Sequence, residues 1–248
     1  MRRCFHSKKS FTLTDRRPRF PERLETPRLV IRPYATGDAD ALFNAINRSR
    51  ETLKQFLPWA ETGHLDQANT RQFIEKALHS WQLHEDMLSL VITSNQGALL
   101  GGVGLQSINW LVPRVELGYW LSDGSAGHGI MQETVRAVSR VCLATLRVAR
   151  IEIRCDARNW RSARVAERCG FHLDGTLRHF GRSPNGALED IQVWSLTTEG
   201  FTAMEGEWDA LDNALRALPP LPKPTVRTHN VASIASATPR SAKVVASR

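Results

Sequence analysis

A carboxylate, a glycine-bearing loop and a helix start follow one another in the stretch from Glu116 to Glu133, ELGYWLSDGSAGHGIMQE. Val115, Leu117, Tyr119 and Leu121 alternate with Glu116, Gly118 and Trp120, the pattern of a half-buried strand. The strand breaks at Ser122-Asp123-Gly124-Ser125. A helix follows Gly127-His128-Gly129, with Ile130, Thr134, Val135, Val138, Val141 and Cys142 at three- and four-residue steps. The chemistry this order suits is anion binding. The first amides of a helix have no intrahelical partner, the helix dipole is positive there, and glycines let a phosphate approach the backbone. The spacing excludes two common phosphate loops: Gln132 stands where a dinucleotide fingerprint needs its third glycine, and no Gly-Lys-Ser/Thr follows. An ordinary tight turn between strand and helix is the alternative reading of Gly-x-Gly alone.

The elements that must position this stretch can be read along the chain. Leu29 to Arg32 forms a short strand. Thr36-Gly37-Asp38 starts a helix whose apolar face is Ala41, Leu42, Ala45 and Ile46. A second short helix is expected over 51–56, stopped near Pro58-Trp59, and a third from Asp66 to about Glu85. Residues 87–93 and 98–109 read as strands joined by the turn Asn95-Gln96-Gly97, and the glycines at 101, 102 and 104 suggest a bulge or a closely approaching neighbour. After the Gly129 helix come a buried strand over 150–156 and a helix capped by Asn159 and ended by Gly170. A strand over 171–182, a turn at Ser183-Pro184-Asn185-Gly186, a last strand over 188–196 and a terminal helix from Phe201 to about Leu218 complete the order. This predicts an α+β sandwich around one mixed sheet.

The net charge of +8 on 248 residues is carried by the ends. Residues 1–20 have a balance of +6 and residues 217–248 one of +5, which leaves about −3 for residues 21–216. Basic tails are poor evidence for a nucleic-acid groove on the folded part. Residues 1–22 are expected to be a basic disordered extension and residues 217–248 a disordered tail rich in Pro, Ala and Ser, flanking a domain over 23–216. No apolar run approaches the roughly 18 to 20 residues of a membrane span. Cys4, Cys142, Cys155 and Cys169 lack metal-ligand spacing, and the last three lie in apolar surroundings, which points to a reducing cytoplasm.

The glycine loop GYWLSDGSAGHGIMQE resembles the pyrophosphate motif of the GCN5-related N-acetyltransferases (GNAT). Asn159-x-x-Ser162-x-x-Val165-x-x-Arg168-x-Gly170-Phe171 resembles the second coenzyme motif of that family. The opening LETPRLVIRP and the FLPW at 56–59 are similar to the subgroup that acetylates ribosomal-protein N-termini, the RimJ/RimL type. The resemblance covers about residues 23–200 and implies a GNAT-like α/β sandwich around one mixed, splayed sheet. It implies acetyl-CoA as co-substrate and no metal. Coenzyme contacts are expected at Leu121, Ser122, Gly127, His128, Gly129, Ile130, Met131, Asn159 and Ser162. There are departures: Gly124 stands where the family usually has Gln or Arg, and Ala166 where many members carry the tyrosine that protonates the departing thiolate. The acid role then falls to Ser162, as the subgroup implies.

Amine acetylation needs a bound thioester, a neutral amine and donors for the oxyanion. A backbone amide beside Leu121 is the expected donor. Glu116, which by its position alone reads as a solvated strand carboxylate, becomes the expected base. Ser162 alone reads as a helix serine bonded to its own backbone. His64, His79 and His84 read as surface residues, and Trp59 and Trp120 as packing. The expected acceptor is a protein N-terminus, ribosomal proteins included. Polyamines, aminoglycosides and amino acids remain alternatives, as does a non-catalytic acyl-CoA-binding module. A monomer or homodimer is expected, without membrane or specific nucleic-acid partners.

Overall fold

The computed structural model describes residues 18–83, 87–183, 186–219 and 221. The elements in order are β1 (Leu24–Glu25), β2 (Leu29–Pro33), a 3-10 turn (Thr36–Asp38), α1 (Ala39–Leu53), α2 (Trp59–Thr62) and α3 (Gln67–Leu83). Then come β3 (Leu88–Ser94), β4 (Leu99–Asn109), β5 (Arg114–Leu121), α4 (Ile130–Arg140) with a wider turn over Val141–Thr145, and β6 (Arg150–Asp156). α5 (Trp160–Arg168), β7 (His172–Arg182), β8 (Leu188–Thr197) and α6 (Thr198–Arg216) close the order. All eight strands belong to one sheet in the order β1-β2-β3-β4-β5-β6-β8-β7. Every pairing is antiparallel except β5 with β6, which α4 connects as a crossover.

The two-residue alternation of the strands sorts the core into two layers. Leu90, Val103, Leu105, Leu117 and Ile151 face α4, α5 and α6, packing on Val135, Val138, Ala166 and Trp208. Val91 faces the other way, onto Leu42, Ala45, Ile46 and Ile74 of α1 and α3, and Leu99 joins it because the β3–β4 register shifts by one residue between the pairs Ile92–Gly101 and Thr93–Leu99. α6 is held by Trp208, which is fully buried, and by ion pairs from Arg136 to Asp212 and from Arg140 to Asp209.

Several boundaries differ from the sequence reading; α6, expected from Phe201, starts at Thr198 behind a Thr197 cap. Residues 51–53 end α1, and the short second helix starts after Pro58 instead of stopping before it. Proline suits the start of a helix, where its missing N–H is not needed. Phe20, expected in the N-terminal extension, is 4% exposed and packs edge-on against Trp81 at 6.5 Å. Leu221, expected in the C-terminal tail, is also buried in the main core. Apolar side chains bury wherever the fold offers a surface, and the folded unit therefore extends past both expected edges. The expected disorder of residues 1–17 and 222–248, Cys4, His84 and the middle of the Ser183–Gly186 turn lie outside the described residues.

Candidate active site

β5 and β6 pair over only three positions, Arg114 with Arg150, Val115 with Ile151 and Glu116 with Glu152. Beyond Glu116 the two strands separate, and β5 continues to Leu121 with only β4 beside it. The N–H of Ser122 donates to Leu100 O on β4 at 2.8 Å. The alternation along a strand therefore turns the amide groups of Leu121 and Tyr119 toward the gap. That gap is a place where a ligand chain can pair with a strand edge.

At the top of the gap the loop 122–129 leads into α4. Gly124, Gly127 and Gly129 have φ of +85, +87 and +72. This left-handed backbone is costly for any residue with a Cβ, which accounts for Gly124 where a longer side chain is usual. The first intrahelical bond of α4 runs from the N–H of Glu133 to Gly129 O, so the amides of Ile130, Met131 and Gln132 precede it and lack a partner in the helix. Ile130 and Met131 bury their side chains, leaving only their N–H groups for a ligand, and His128 is exposed. Ser122 departs from expectation. Its N–H and its hydroxyl both bond Leu100 O, and the hydroxyl also meets Ser125 Oγ at 2.9 Å. It is 1% exposed and braces the loop from inside. Ser49 on α1 adds a second brace by accepting the N–H of Asp123 at 2.8 Å.

The helix start has a further anchor that the sequence did not reveal. Glu133, in the first turn of α4, is 1% exposed. Its Oε1 accepts from Thr26 Oγ1 at 2.6 Å and from the Arg28 N–H at 3.0 Å, and its Oε2 accepts from Arg28 Nε at 2.8 Å. The motif LETPRL thus locks the edge of the sheet to the base of the glycine loop, more than a hundred residues away. Nothing in local spacing marks such a pair.

Across the gap, Asn159 caps α5, its Oδ1 accepting the N–H of Ser162 at 3.1 Å. The Ser162 hydroxyl lies 3.0 Å from the hydroxyl of Tyr119, which also donates to Ser162 O at 3.3 Å. Burial pushes the Tyr119 hydroxyl well above the usual tyrosine range, only partly offset by Ser162, so it stays protonated and can donate. Burial likewise raises the Cys155 thiol, against hydrogen bonds to Ser162 and Trp194. Tyr119 is the residue that sequence reasoning passed over. It reads as an inward strand residue, and the place searched for a tyrosine, Ala166, is a fully buried core position.

Glu116 lies on the opposite face of β5 from Tyr119, beside the point where the strands part. Its Oε1 accepts from Gln106 Nε2 at 2.8 Å, and its Oε2 is 3.6 Å from Arg154 Nε. Arg154 is held more closely by Glu152, at 2.8 Å. Burial draws the Glu152 carboxyl upward, but hydrogen bonds from Arg150 and Arg154 outweigh it and hold that group below its ordinary range. Glu116 remains partly exposed, with 17% of its side chain accessible, on a charged strip of the sheet.

On the same face, aromatic rings pack over the sheet. Trp59 meets Trp120 edge-on at 6.1 Å and His64 at 5.9 Å, and His64 meets Phe73 at 4.8 Å. His64, expected at the surface, is 7% exposed, with Nδ1 3.1 Å from Thr70 Oγ1. Burial and then Arg50 lower its pKa to about 4, so it is neutral at pH 7 and a weak base. The expected packing of Trp59 and Trp120 is what the geometry shows.

Among the described residues no group of three or more His, Cys, Asp or Glu could hold a metal ion, and no helix is long and apolar enough to cross a membrane. The gap, the unpartnered amides and the hydroxyl pair suit a ligand with an anionic end and an extended chain leading to a reactive group. Comparison with known proteins agrees. The Acetyltransferase (GNAT) domain family matches residues 28–172. A probable N-acetyltransferase of Bacillus subtilis, YjcK, is 29% identical over 68% of this chain and 93% of its own length. The ribosomal-protein-serine acetyltransferase of Escherichia coli is 24% identical over 67% of this chain and 91% of its own. Among solved structures, the ribosomal L7/L12 α-N-protein acetyltransferase RimL in complex with coenzyme A shares the fold. Its TM-score is 0.66 at 22% identity, covering 72% of this chain and 99% of that one. With more than half of its length matched by the family, this chain belongs to the GNAT acetyltransferases.

Proposed function

We propose that this acetyltransferase moves an acetyl group from acetyl-CoA to a primary amine, chiefly the N-terminal α-amine of a protein, with the reaction occurring in a ternary complex. Acetyl-CoA fits the site on the chain's own features: three left-handed glycines before unpartnered amides, and a strand edge freed by the β5–β6 separation. The amides of residues 127–131 would hold its pyrophosphate, and the coenzyme supplies the acetyl thioester. Leu121 directs an amide at the gap and is the candidate donor to the oxyanion. Ser162, held by Tyr119, is the candidate proton donor or positioner at the sulfur.

The observation that carries the reading is the place of Glu116. It stands at the last paired position before β5 and β6 part, partly exposed and on the face away from Ser162. A base there can take a proton from an amine arriving on the α1–α3 side while the leaving group departs on the other. The folded part carries a slight negative balance, which tolerates a cationic acceptor, polyamines included. One argument favours an α-amine among them. An α-amine has a pKa near 8 against about 10.4 for lysine, so a lone carboxylate has less to do at pH 7. The names of the ribosomal-protein relatives point the same way. We place the activity in the cytoplasm.

The test is acetyl transfer to a Ser- or Ala-starting peptide, to its N-terminally blocked twin containing lysine, and to spermidine. The first is expected to react best. Preference for the blocked peptide or for spermidine would overturn the N-terminal assignment and leave an acetyltransferase of small or side-chain amines.

A further inference from the structure

Four glycines stand together on β4 and β5, and packing accounts for only two of them. A Cβ on Gly101 would lie 2.2 Å from Trp120 O. One on Gly102 would lie 2.6 Å from Trp120 Nε1 and 2.9 Å from the Tyr34 hydroxyl. Both places are already filled. Gly104 and Gly118 are different. They are direct cross-strand partners, and neither has a left-handed φ. A Cβ on Gly104 would come no nearer than 3.5 Å to Leu88 O, and one on Gly118 no nearer than 3.7 Å to Gln106 Nε2. The fold would accept a side chain at either position.

Glycine inside a strand weakens it, through backbone entropy and the loss of a side chain to pack. Two facing glycines that neither conformation nor packing requires therefore call for another reason, and the close approach of a ligand is the usual one. Their surroundings identify the ligand. The pair Gln106–Glu116 is next along the ladder on one side and the pair Gly102–Trp120 on the other, all on the same face by alternation. Gly104 and Gly118 are both partly exposed. The result is a patch of bare backbone at Gly104 and Gly118, between the Glu116 carboxylate and the Trp120 indole. Glu116 and Trp120, four residues apart at about 3.3 Å each, stand roughly 13 Å from one another along the strand.

We propose that Gly104 and Gly118 form the floor of the acceptor subsite. This rests on the acetyltransferase reading with Glu116 at the amine. The absent side chains leave a flat surface on which the first peptide unit of an acceptor lies, its amine at Glu116 and its chain running toward Trp120 and Trp59. A side chain at Gly118 would stand in that space and push the acceptor away from the strand.

The experiment compares wild type with Gly118→Ala and Gly118→Val for peptide, spermidine and acetyl-CoA. The expected result is a rise in peptide KM of a few-fold for Gly118→Ala and tenfold or more for Gly118→Val. The acetyl-CoA Kd should be unchanged and the Tm equal or higher, since both residues favour a strand over glycine. A peptide KM within twofold of wild type in Gly118→Val, with Tm retained, would overturn the floor. So would an equal loss of acetyl-CoA affinity. If Gly118→Val does not fold, Gly118→Ala carries the test, because its Cβ sits at ordinary contact distance. Turnover of spermidine alone by wild type would refute the peptide class. The floor then stands or falls on whether Gly118→Val raises the KM for spermidine.

Discussion

Replacing Glu116 by glutamine separates the proposed base from every structural part this residue plays. Glutamine keeps the shape and an acceptor oxygen for Gln106 Nε2, which now bonds Oε1 at 2.8 Å. The change also withdraws one partner from Arg154. That partner is 3.6 Å away, whereas Glu152 stays at 2.8 Å. An ion pair at this separation with about a third of the arginine side chain exposed contributes roughly 0–1 kcal/mol. Stability should therefore fall by no more than about 1 kcal/mol, a Tm shift of roughly 2–4 °C for a domain of this size. Catalysis should fall far more. Loss of a general base lowers turnover by about 10² or more, equivalent to roughly 2.7 kcal/mol of transition-state stabilisation. The assay is acetyl-CoA-dependent thiol release at saturating amine, with coenzyme affinity by calorimetry and Tm beside it. The expected signature is a large drop in kcat with acetyl-CoA Kd unchanged. Turnover within about threefold of wild type would refute the reasoning and make Glu116 a structural carboxylate of the Arg154 strip.

Tyr119→Phe removes the hydroxyl that orients Ser162, and losing one hydrogen bond of about 1 kcal/mol should lower kcat roughly fivefold. The effect should vanish in a Ser162→Ala background, and additive losses would show that the two act separately. Glu133→Ala leaves the buried Arg28 guanidinium without its partner and should cost about 3–5 kcal/mol in urea denaturation, with much of this recovered by Arg28→Met in the same chain. A loss under 1 kcal/mol would mean that the helix start is held otherwise. His64 has a folded pKa of about 4, below its unfolded value of 6.5, so the unfolded state binds the extra proton. Its contribution to stability is present above pH 6.5 and is lost as pH falls toward 4. Comparing melting temperatures across that window, His64→Asn, chosen because asparagine tolerates the positive φ of 53°, should show a shallower decline than wild type. Equal slopes would assign the decline to other groups.

What the sequence determined by itself is local. The two-residue alternation around Leu117 and Tyr119, the helical spacing after Gly129 and the cap at Asn159 each depend on residues within a turn or two. Backbone geometry imposes those periods wherever the chain goes. The four motifs that resemble the GNAT acetyltransferases lie in the same local stretches, and the family was legible for that reason. Four things were decided only by the tertiary structure. Tyr119 meets Ser162 across 43 residues, and Arg28 meets Glu133 across 105. β5 leaves β6 after Glu116, at a register that no single strand encodes. The position of His64 is of the same kind. A loop histidine between Glu61-Thr62 and Asp66-Gln67 reads as exposed until Trp59 and Phe73 close over it. Contacts of this sort follow from which strand neighbours which and from how far each pairing runs. Those are set by the summed burial of the whole sheet and its helices, so residue types near a site do not reveal them.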